Sequence, residues 1–591
     1  MRVGVSAIVL FLAFPAAALA QDAGVPSALE AGTPLAAPPD ADAGAGADAG
    51  ADADADADAG ADAGPRPDQD HDQIPDAEDA VPDAGTAAAV DAGADAGPPH
   101  ALRPPSDWTF EMHGEAEARF DAMSDIPLRA LPTEPGTGKL GQNGWAETWL
   151  RLRAEGGYRP AQLKLIAQAD FLSGVLAGDH AVGIYPSRWR RDRYVGIGGD
   201  AACTSELHCN REFSGIGLRQ LYLEWQGDFG VLRAGQQTFH WGLGIVANDG
   251  EHAPVFGDYR FGHLVERILW AFQPLGRRTP FFVAVAGDLV FDDGLADLRR
   301  GDVAWQGVLS AFWQEGEHGE RQIGGFAAYR DQTNSGGDWL KVGIFDLFAR
   351  WDFAEPTGGR AFVAAEAAAI FGQESLTRTL TRPHDDVRQG LAAIQLGRRS
   401  EMVDATLELG YTSGDANTED GVQSRATMDA DHRVGLILFP EVMNWMSARA
   451  VAYGIAPSIV GRPAPGTQLV PTDGGVAGSI YVFPHLVLRP ISWLEIRLGG
   501  VLGRTTSDNV DPVEQRLASR TVNYRGGDSR QRDLGVELDA AVLATVGLRD
   551  GLKFVGGVEG GLFFPGQAFA DASGHVMDDV GLVRLRAGLR W

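Results

Sequence analysis

This 591-residue sequence has few cysteines, no excess of basic residues and few long apolar runs. Its two cysteines, Cys203 and Cys209, cannot form a disulfide scaffold or a cysteine-built zinc or iron–sulfur site. Beyond the N-terminal segment, no stretch has the roughly 18 consecutive apolar residues that a spanning helix requires. The 80 acidic and 50 basic residues give a net charge of -30, which makes nucleic acid a poor partner. These absences exclude helical membrane proteins and nucleic-acid-binding proteins.

The first 20 residues have the pattern of a secretory signal peptide. They begin with a charge at Arg2, continue through an apolar core, and end in Ala18-Leu19-Ala20 before Gln21. A membrane anchor is the alternative, but the apolar run is short and a cleavage pattern follows it. We therefore predict that the mature protein leaves the cytoplasm without an N-terminal lipid.

Residues 21–105 are built mainly from Asp, Ala, Gly and Pro. Between 21 and 100 there are 19 acidic residues and a single basic one, Arg66, so this stretch carries a charge of -18. With few large apolar side chains and strong self-repulsion, it cannot offset the entropy cost of folding. We predict a disordered periplasmic leader acting as a solvated spacer, with a cation-binding arm as the alternative.

From residue 106 to 591 the sequence alternates between apolar and polar positions. This is the pattern of strands with one apolar face and one charged face. The last segment shows this pattern best, because Val583, Leu585 and Leu589 alternate with arginines. Nineteen segments fit such strands, including one at 433–440. Bacterial barrels usually have an even number of strands, so we predict a transmembrane antiparallel β-barrel of about 18 strands, within a range of 16–20. A barrel of this size leaves an aqueous lumen unless loops fill it.

Enzyme motifs are scarce. The stretch GTGKLG, with Gly136, Gly138 and Gly141, matches G-x-G-x-x-G but neither follows a strand nor opens a helix. No metalloprotease motif, nucleophile elbow or complete phosphate loop is present. We predict no enzymatic activity, with a barrel hydrolase as a minor alternative. The short spacing of Cys203 and Cys209 in an exported protein predicts a local disulfide, and no resident cofactor is expected.

Two loops are rich in metal-ligand side chains. The first, after FHW, contains Asp249, Glu251, His252, Asp258 and His263, which either hold a divalent ion, line the pore or form an ordinary solvated loop. The second, SGDANTEDG, departs from the EF-hand pattern at Gly421 but offers oxygen ligands for calcium. We identify its candidate Ca²⁺ ligands as Asp415, Asn417, Glu419 and Asp420.

Three motifs resemble known outer-membrane barrels. LELGYTSGDANTEDG and RAGQQTFHWGLG, the latter at 233–244, are similar to segments of alginate-export-type porins. The combination of HWGLG, ANDG and VGLILF resembles an uncharacterised family of myxobacterial outer-membrane barrels. The first resemblance implies export of an anionic polysaccharide through a basic lumen, although carboxylates share the same strand faces. The lumen and selectivity candidates are Arg151, Arg153, Lys164, Arg233, Arg497, Arg584, Arg586 and Arg590.

These patterns predict an outer-membrane channel that passes small polar or anionic solutes, or polysaccharide. The strand ending at Trp591 resembles the signal read by the barrel-assembly machinery, which we expect as a partner together with outer-membrane lipid. The alternatives are a non-conducting barrel that displays loops or anchors the envelope, and a soluble exported β-protein. The transported solute, its direction and the oligomeric state cannot be deduced from the sequence.

Overall fold

The computed structural model describes residues 107–127, 139–140, 144–178, 203–205, 208–209, 214–259, 262–276, 279–316, 320–355, 359–378, 382–447, 450, 472–549 and 551–591. All of them belong to one compact unit, Glu78–Trp591. The signal peptide and the acidic leader lie outside the described residues, so both stay predictions.

Eighteen long strands form one closed antiparallel barrel, which confirms the predicted fold class. Each strand pairs with the next along the chain, and the first pairs with the last from Glu115↔Arg590 to Met123↔Leu582. In chain order the strands are β1 Trp108–Met123, β2 Trp145–Tyr158, β3 Leu163–Gly178, β4 Ser214–Gly227, β5 Gly230–Thr238, β6 Leu264–Phe272, β7 Phe281–Asp292, β8 Val303–Glu315, β9 Arg321–Thr333, β10 Trp339–Ala354, β11 Arg360–Glu374, β12 Asp385–Arg399, β13 Val403–Thr412, β14 Ser479–Ile491, β15 Leu494–Thr505, β16 Asp533–Arg549, β17 Leu552–Pro565 and β18 Val580–Arg590.

The connections differ sharply in length between the two edges of the barrel. At the edge where β1 begins and β18 ends, the turns have two to eight residues. At the opposite edge the longest connections are 179–213, 239–263, 413–478 and 506–532. This asymmetry is typical of outer-membrane barrels, which place short turns in the periplasm and long loops outside.

The two faces of each strand follow the period-two pattern. On β18, Val583 and Leu585 are half exposed on the outside of the barrel, whereas Arg584 is buried inside it. Most of the exposed tryptophans lie near the short-turn edge, at Trp108, Trp225, Trp270, Trp351, Trp493 and Trp591, whereas Trp305 lies near the long-loop edge. An apolar exterior with aromatic residues near its edge is the surface expected to contact lipid, and it is unsuited to a soluble protein.

One strand position departs from the period-two pattern, and one tryptophan lies away from the edges of the barrel. Leu534 is fully buried inside the barrel rather than on the outer face, because a bulge at Gly535 shifts the register between β15 and β16. Gly535 has a φ of 104°, and a Cβ there would lie 2.1 Å from the Phe564 carbonyl oxygen. Trp241 lies within a loop inside the barrel, where its Nε1 donates to Asp346.

The predicted strand at 433–440 does not exist. This segment lies inside the barrel, where a turn leads into a π-helical stretch, Leu438–Met443, and all of its residues are buried. The segment is enclosed on every side, so most of its positions are apolar. A strand that is buried on both faces has the same composition. An α-helix, α1, spans Pro512–Ala518 and is capped by Asp511. Among the described residues, no helix has the length and apolar character needed to cross a membrane.

Candidate functional site

The inside of the barrel is partly filled by two connections from the long-loop edge. We call residues 239–259 with 262–263 the first inward loop, and residues 428–447 the second inward loop. Together with the inner wall they form a large apolar cluster that includes Ile245, Phe256 and Phe439. The lumen is therefore not an open channel of the width that 18 strands alone would allow.

The first inward loop begins with a tight turn against β10 and β11. Trp241 Nε1 donates to Asp346, and the backbone N–H of Leu243 donates to Glu366. Gly242 permits this turn, since its φ is 59° and a Cβ would lie 2.5 Å from Glu366 Oε2. The motif HWGLG thus fixes the loop to one side of the wall.

The rest of this loop is held by arginines on the opposite side of the barrel. Arg219 Nη2 donates to the Asp249 carbonyl oxygen at 2.7 Å, and Arg497 Nη1 donates to that of Val255 at 2.6 Å. Arg586 Nη2 likewise donates to the Gly257 carbonyl oxygen at 3.1 Å. The loop therefore crosses the lumen and is bound by charged side chains on several strands.

The second inward loop is fixed mainly by buried carboxylates. The backbone N–H groups of Leu436, Ile437 and Leu438 all donate to Glu537 at 2.5–2.8 Å. His432 lies with its Nε2 3.1 Å from Glu408, which also accepts a hydrogen bond from Tyr481. Glu537 thus satisfies three N–H groups that would otherwise be buried without acceptors.

A cavity of about 300 Å³ remains between the first inward loop and the inner faces of β2–β8. It extends from Lys164 and Gln226, near the short turns, to His240 and Asp249 of the loop. Its charged lining is balanced, with four cationic and four anionic side chains. They are Arg153, Lys164, Arg233 and Arg267, and Glu155, Glu224, Asp249 and Glu251.

Most of these charges are paired. Arg153 Nε lies 2.8 Å from Glu155, and Arg233 Nε lies 2.7 Å from Glu224. Arg267 is bound by both oxygens of Asp288 at 2.7 Å. Lys164 is exposed and forms no ion pair with any residue in the described ranges. It is therefore the lining cation most available to a solute.

The eight candidate lumen residues have separate roles. Arg153, Lys164 and Arg233 line the cavity. Arg151, Arg497, Arg584 and Arg586 face inward but bind carboxylates or the first inward loop. Arg590 lies at the short-turn edge, with its Nε 3.3 Å from Glu115. Selectivity through these side chains stays a prediction, and the geometry favours the first three.

His240, Asp249 and His252 converge at the loop end of the cavity. One ligand atom from each lies within 4.8 Å of the others. His252 Nδ1 donates to Asp249 Oδ1 at 3.0 Å, and the two imidazole rings stack at 4.0 Å. The sequence indicated Asp249 and His252, but His240 was missed because it directly follows the strand.

Burial, together with the neighbouring His252, lowers the pKa of His240 to about 4. Burial opposes ionisation of Asp249, but hydrogen bonding from His252 and the nearby imidazoles hold its pKa at about 2. At neutral pH the cluster therefore combines a neutral His240 with an ionised carboxylate.

In the predicted calcium loop, side-chain oxygens accept hydrogen bonds from the backbone. Asp415 accepts from Asn417 N–H at 2.9 Å, and Asn417 accepts from Glu419 N–H at 3.2 Å. Asp420 accepts from Val422 N–H, so these contacts form turns within the loop. Calcium binding there stays a prediction.

Cys203 and Cys209 lie opposite each other in a short antiparallel pair. Their side chains lie outside the described residues, so the disulfide stays a prediction.

The fold and its interior define a class: a closed 18-stranded barrel with an apolar exterior and two loops folded into a polar lumen. The chain matches no protein-family model and no curated protein. Similar solved structures include OccAB2 and OccAB1 of Acinetobacter baumannii and OccK9 (OpdG) of Pseudomonas aeruginosa. Their identities are 11%, 8% and 12%, their TM-scores are 0.44, 0.43 and 0.43, and each covers 81% of this chain and 98%, 96% and 99% of its own. At these values they carry no argument about what this chain transports.

Proposed function

We propose that this protein is an outer-membrane channel for small polar or anionic solutes. The observation that carries this proposal is the charged cavity inside a barrel whose outer surface is apolar. A wall of this kind separates lipid from a polar interior, and no covalent chemistry is needed for that role. The acidic leader would lie in the periplasm, on the side of the short turns.

The size of the cavity favours small solutes over polymer. A space of about 300 Å³ is at the lower end of ordinary ligand pockets, and both inward loops would have to move before a polysaccharide chain could pass. Alginate-type export therefore belongs to this proposal only as its less favoured form. The charges of the lining are balanced and most of them are paired, which supports only a weak preference for anions. That preference depends mainly on Lys164.

We expect Lys164→Glu to shift selectivity towards cations. The substitution changes the local charge by two units. In water, each unit charge about 5 Å from an ion is worth about 0.8 kcal/mol, or about fourfold in local ion concentration before salt screening. The measurement is the reversal potential of the protein in a planar bilayer under a salt gradient.

Lys553→Glu is the matched control, because Lys553 is exposed near the same edge but does not line the cavity. Equal shifts for both variants would place the permeation path elsewhere. A folded barrel that inserts without conducting would contradict the channel and favour the alternative, a non-conducting barrel that displays loops or anchors the envelope. The filled lumen is the observation that favours that alternative.

A further inference from the structure

The cluster of His240, Asp249 and His252 has an electrostatic arrangement that calls for a cation. His240 Nε2 lies 3.2 Å from the Gly242 carbonyl oxygen, which can only accept a hydrogen bond. Nε2 therefore carries a proton, which leaves Nδ1 as the ring nitrogen that can bind an ion. His240 Nδ1 lies 3.8 Å from the Asp249 carboxylate.

His240 Nδ1 and the Asp249 carboxylate thus face each other in a buried place. His240 Nδ1 is inaccessible to solvent and has no hydrogen-bond partner in the described part of the chain. A buried polar atom without a partner is costly. A metal ion between the two atoms would give both of them a partner. The contact from Nε2 to a backbone carbonyl is also the outer-shell contact usual for metal-binding histidines.

We propose that His240, Asp249 and His252 bind one divalent transition-metal ion. In a tetrahedral zinc site with ligand bonds of about 2.0–2.1 Å, the ligand atoms lie about 3.3 Å apart. Asp249 Oδ1 lies 3.0 Å from His252 Nδ1 and 3.8 Å from His240 Nδ1, and these separations bracket that value. His252 Nδ1 is the donor in its hydrogen bond to Asp249, so its proton moves to Nε2 when this atom binds the ion. Two imidazoles and one carboxylate suit Zn²⁺, Co²⁺, Ni²⁺ or Cu²⁺, whereas Mg²⁺ and Ca²⁺ prefer oxygen ligands.

The loop holds this ligand set in place before any ion arrives. Arg219 fixes the Asp249 backbone, and the N–H of His263 donates to the Asn248 carbonyl oxygen at 2.9 Å. His240 and Asp249 line the cavity, which gives an ion a path of entry. Three protein ligands leave at least one coordination position for water or a solute.

The test is metal binding by the full mature chain in detergent, after treatment with EDTA. Equilibrium dialysis against Zn²⁺ in excess Mg²⁺ should give one tightly bound ion per chain, and Co²⁺ should give a visible absorption band that Zn²⁺ removes. His240→Gln and His252→Gln should each weaken Zn²⁺ binding by at least about 10- to 100-fold. The excess Mg²⁺ competes for the acidic leader, which is unchanged in every variant.

His263→Gln is the matched control, since His263 lies in the same loop but pairs with Asp429 at 2.7 Å. It should bind Zn²⁺ as the parent does. Heat-dependent gel mobility checks that each barrel is folded, and the less buried His252 decides the result if His240→Gln does not fold. Absence of tight Zn²⁺ binding, or equal binding by the two cluster variants and the parent, would overturn the proposal. The outcome of this metal-binding test does not depend on whether the protein conducts ions.

Discussion

Removal of residues 428–476 is expected to raise the single-channel conductance severalfold. Thr427 and Ala477 are already paired across the base of this segment, so two glycines can join them without disturbing β13 or β14. The deletion removes the buried residues 434–446 from the lumen, and with them much of the apolar cluster. A barrel of 18 strands without that filling has room for an aqueous channel.

The control for this deletion is a second shortened loop. Ala570 and Val576 are paired in the same way, and the tip between them, residues 571–575, is largely exposed outside the apolar cluster. Its removal should leave conductance unchanged. Single-channel recordings of both variants, each checked for folding by heat-dependent gel mobility, decide the matter. If the first deletion conducts no better than the parent, the second inward loop does not limit permeation.

The barrel wall could be predicted from the sequence because each wall strand faces two different environments. Lys164 alternates with Leu163 and Leu165, and the structure exposes those leucines on the outside of the barrel. Such a pattern survives small errors in strand ends, since the period of two fixes the faces. The period-two pattern assigns the wrong face to Leu534, because a bulge inserts one residue and reverses the faces beyond it.

The interior could be predicted only in part. An apolar run such as 433–440 has the same composition whether it is a strand between two layers or a segment enclosed by a barrel. Its true environment depends on Glu537, about 100 residues away, which accepts its backbone N–H groups. Ion pairs such as Arg119 with Asp258, at 2.8 Å, likewise join residues that no local pattern connects. The cluster at His240 depends on the same long-range folding of the first inward loop.

Replacement of Arg584 by alanine is expected to destabilise the barrel by about 3–5 kcal/mol, because it breaks a buried charge network. Arg584 lies where the last strand meets the first, bound to Asp121 of β1 and 3.1 Å from Glu559 of β17. Asp121 and Glu559 are at most 1% exposed, so both would lose a cation without gaining water. Arg119 and Arg586 remain beside them, which favours the lower end of this range.

Arg590→Ala is the matched control on the same strand. Its side chain is half exposed and pairs with Glu115 at 3.3 Å, and a pair of this kind contributes about 0–1 kcal/mol. Urea unfolding of both variants in lipid vesicles, followed by tryptophan fluorescence, measures the two free energies of unfolding. Arg584→Met separates charge from packing, since methionine fills much of the same space without the guanidinium. If Arg584→Ala costs no more than Arg590→Ala, closure of the barrel between β18 and β1 depends on backbone pairing and outer-face packing rather than on this network.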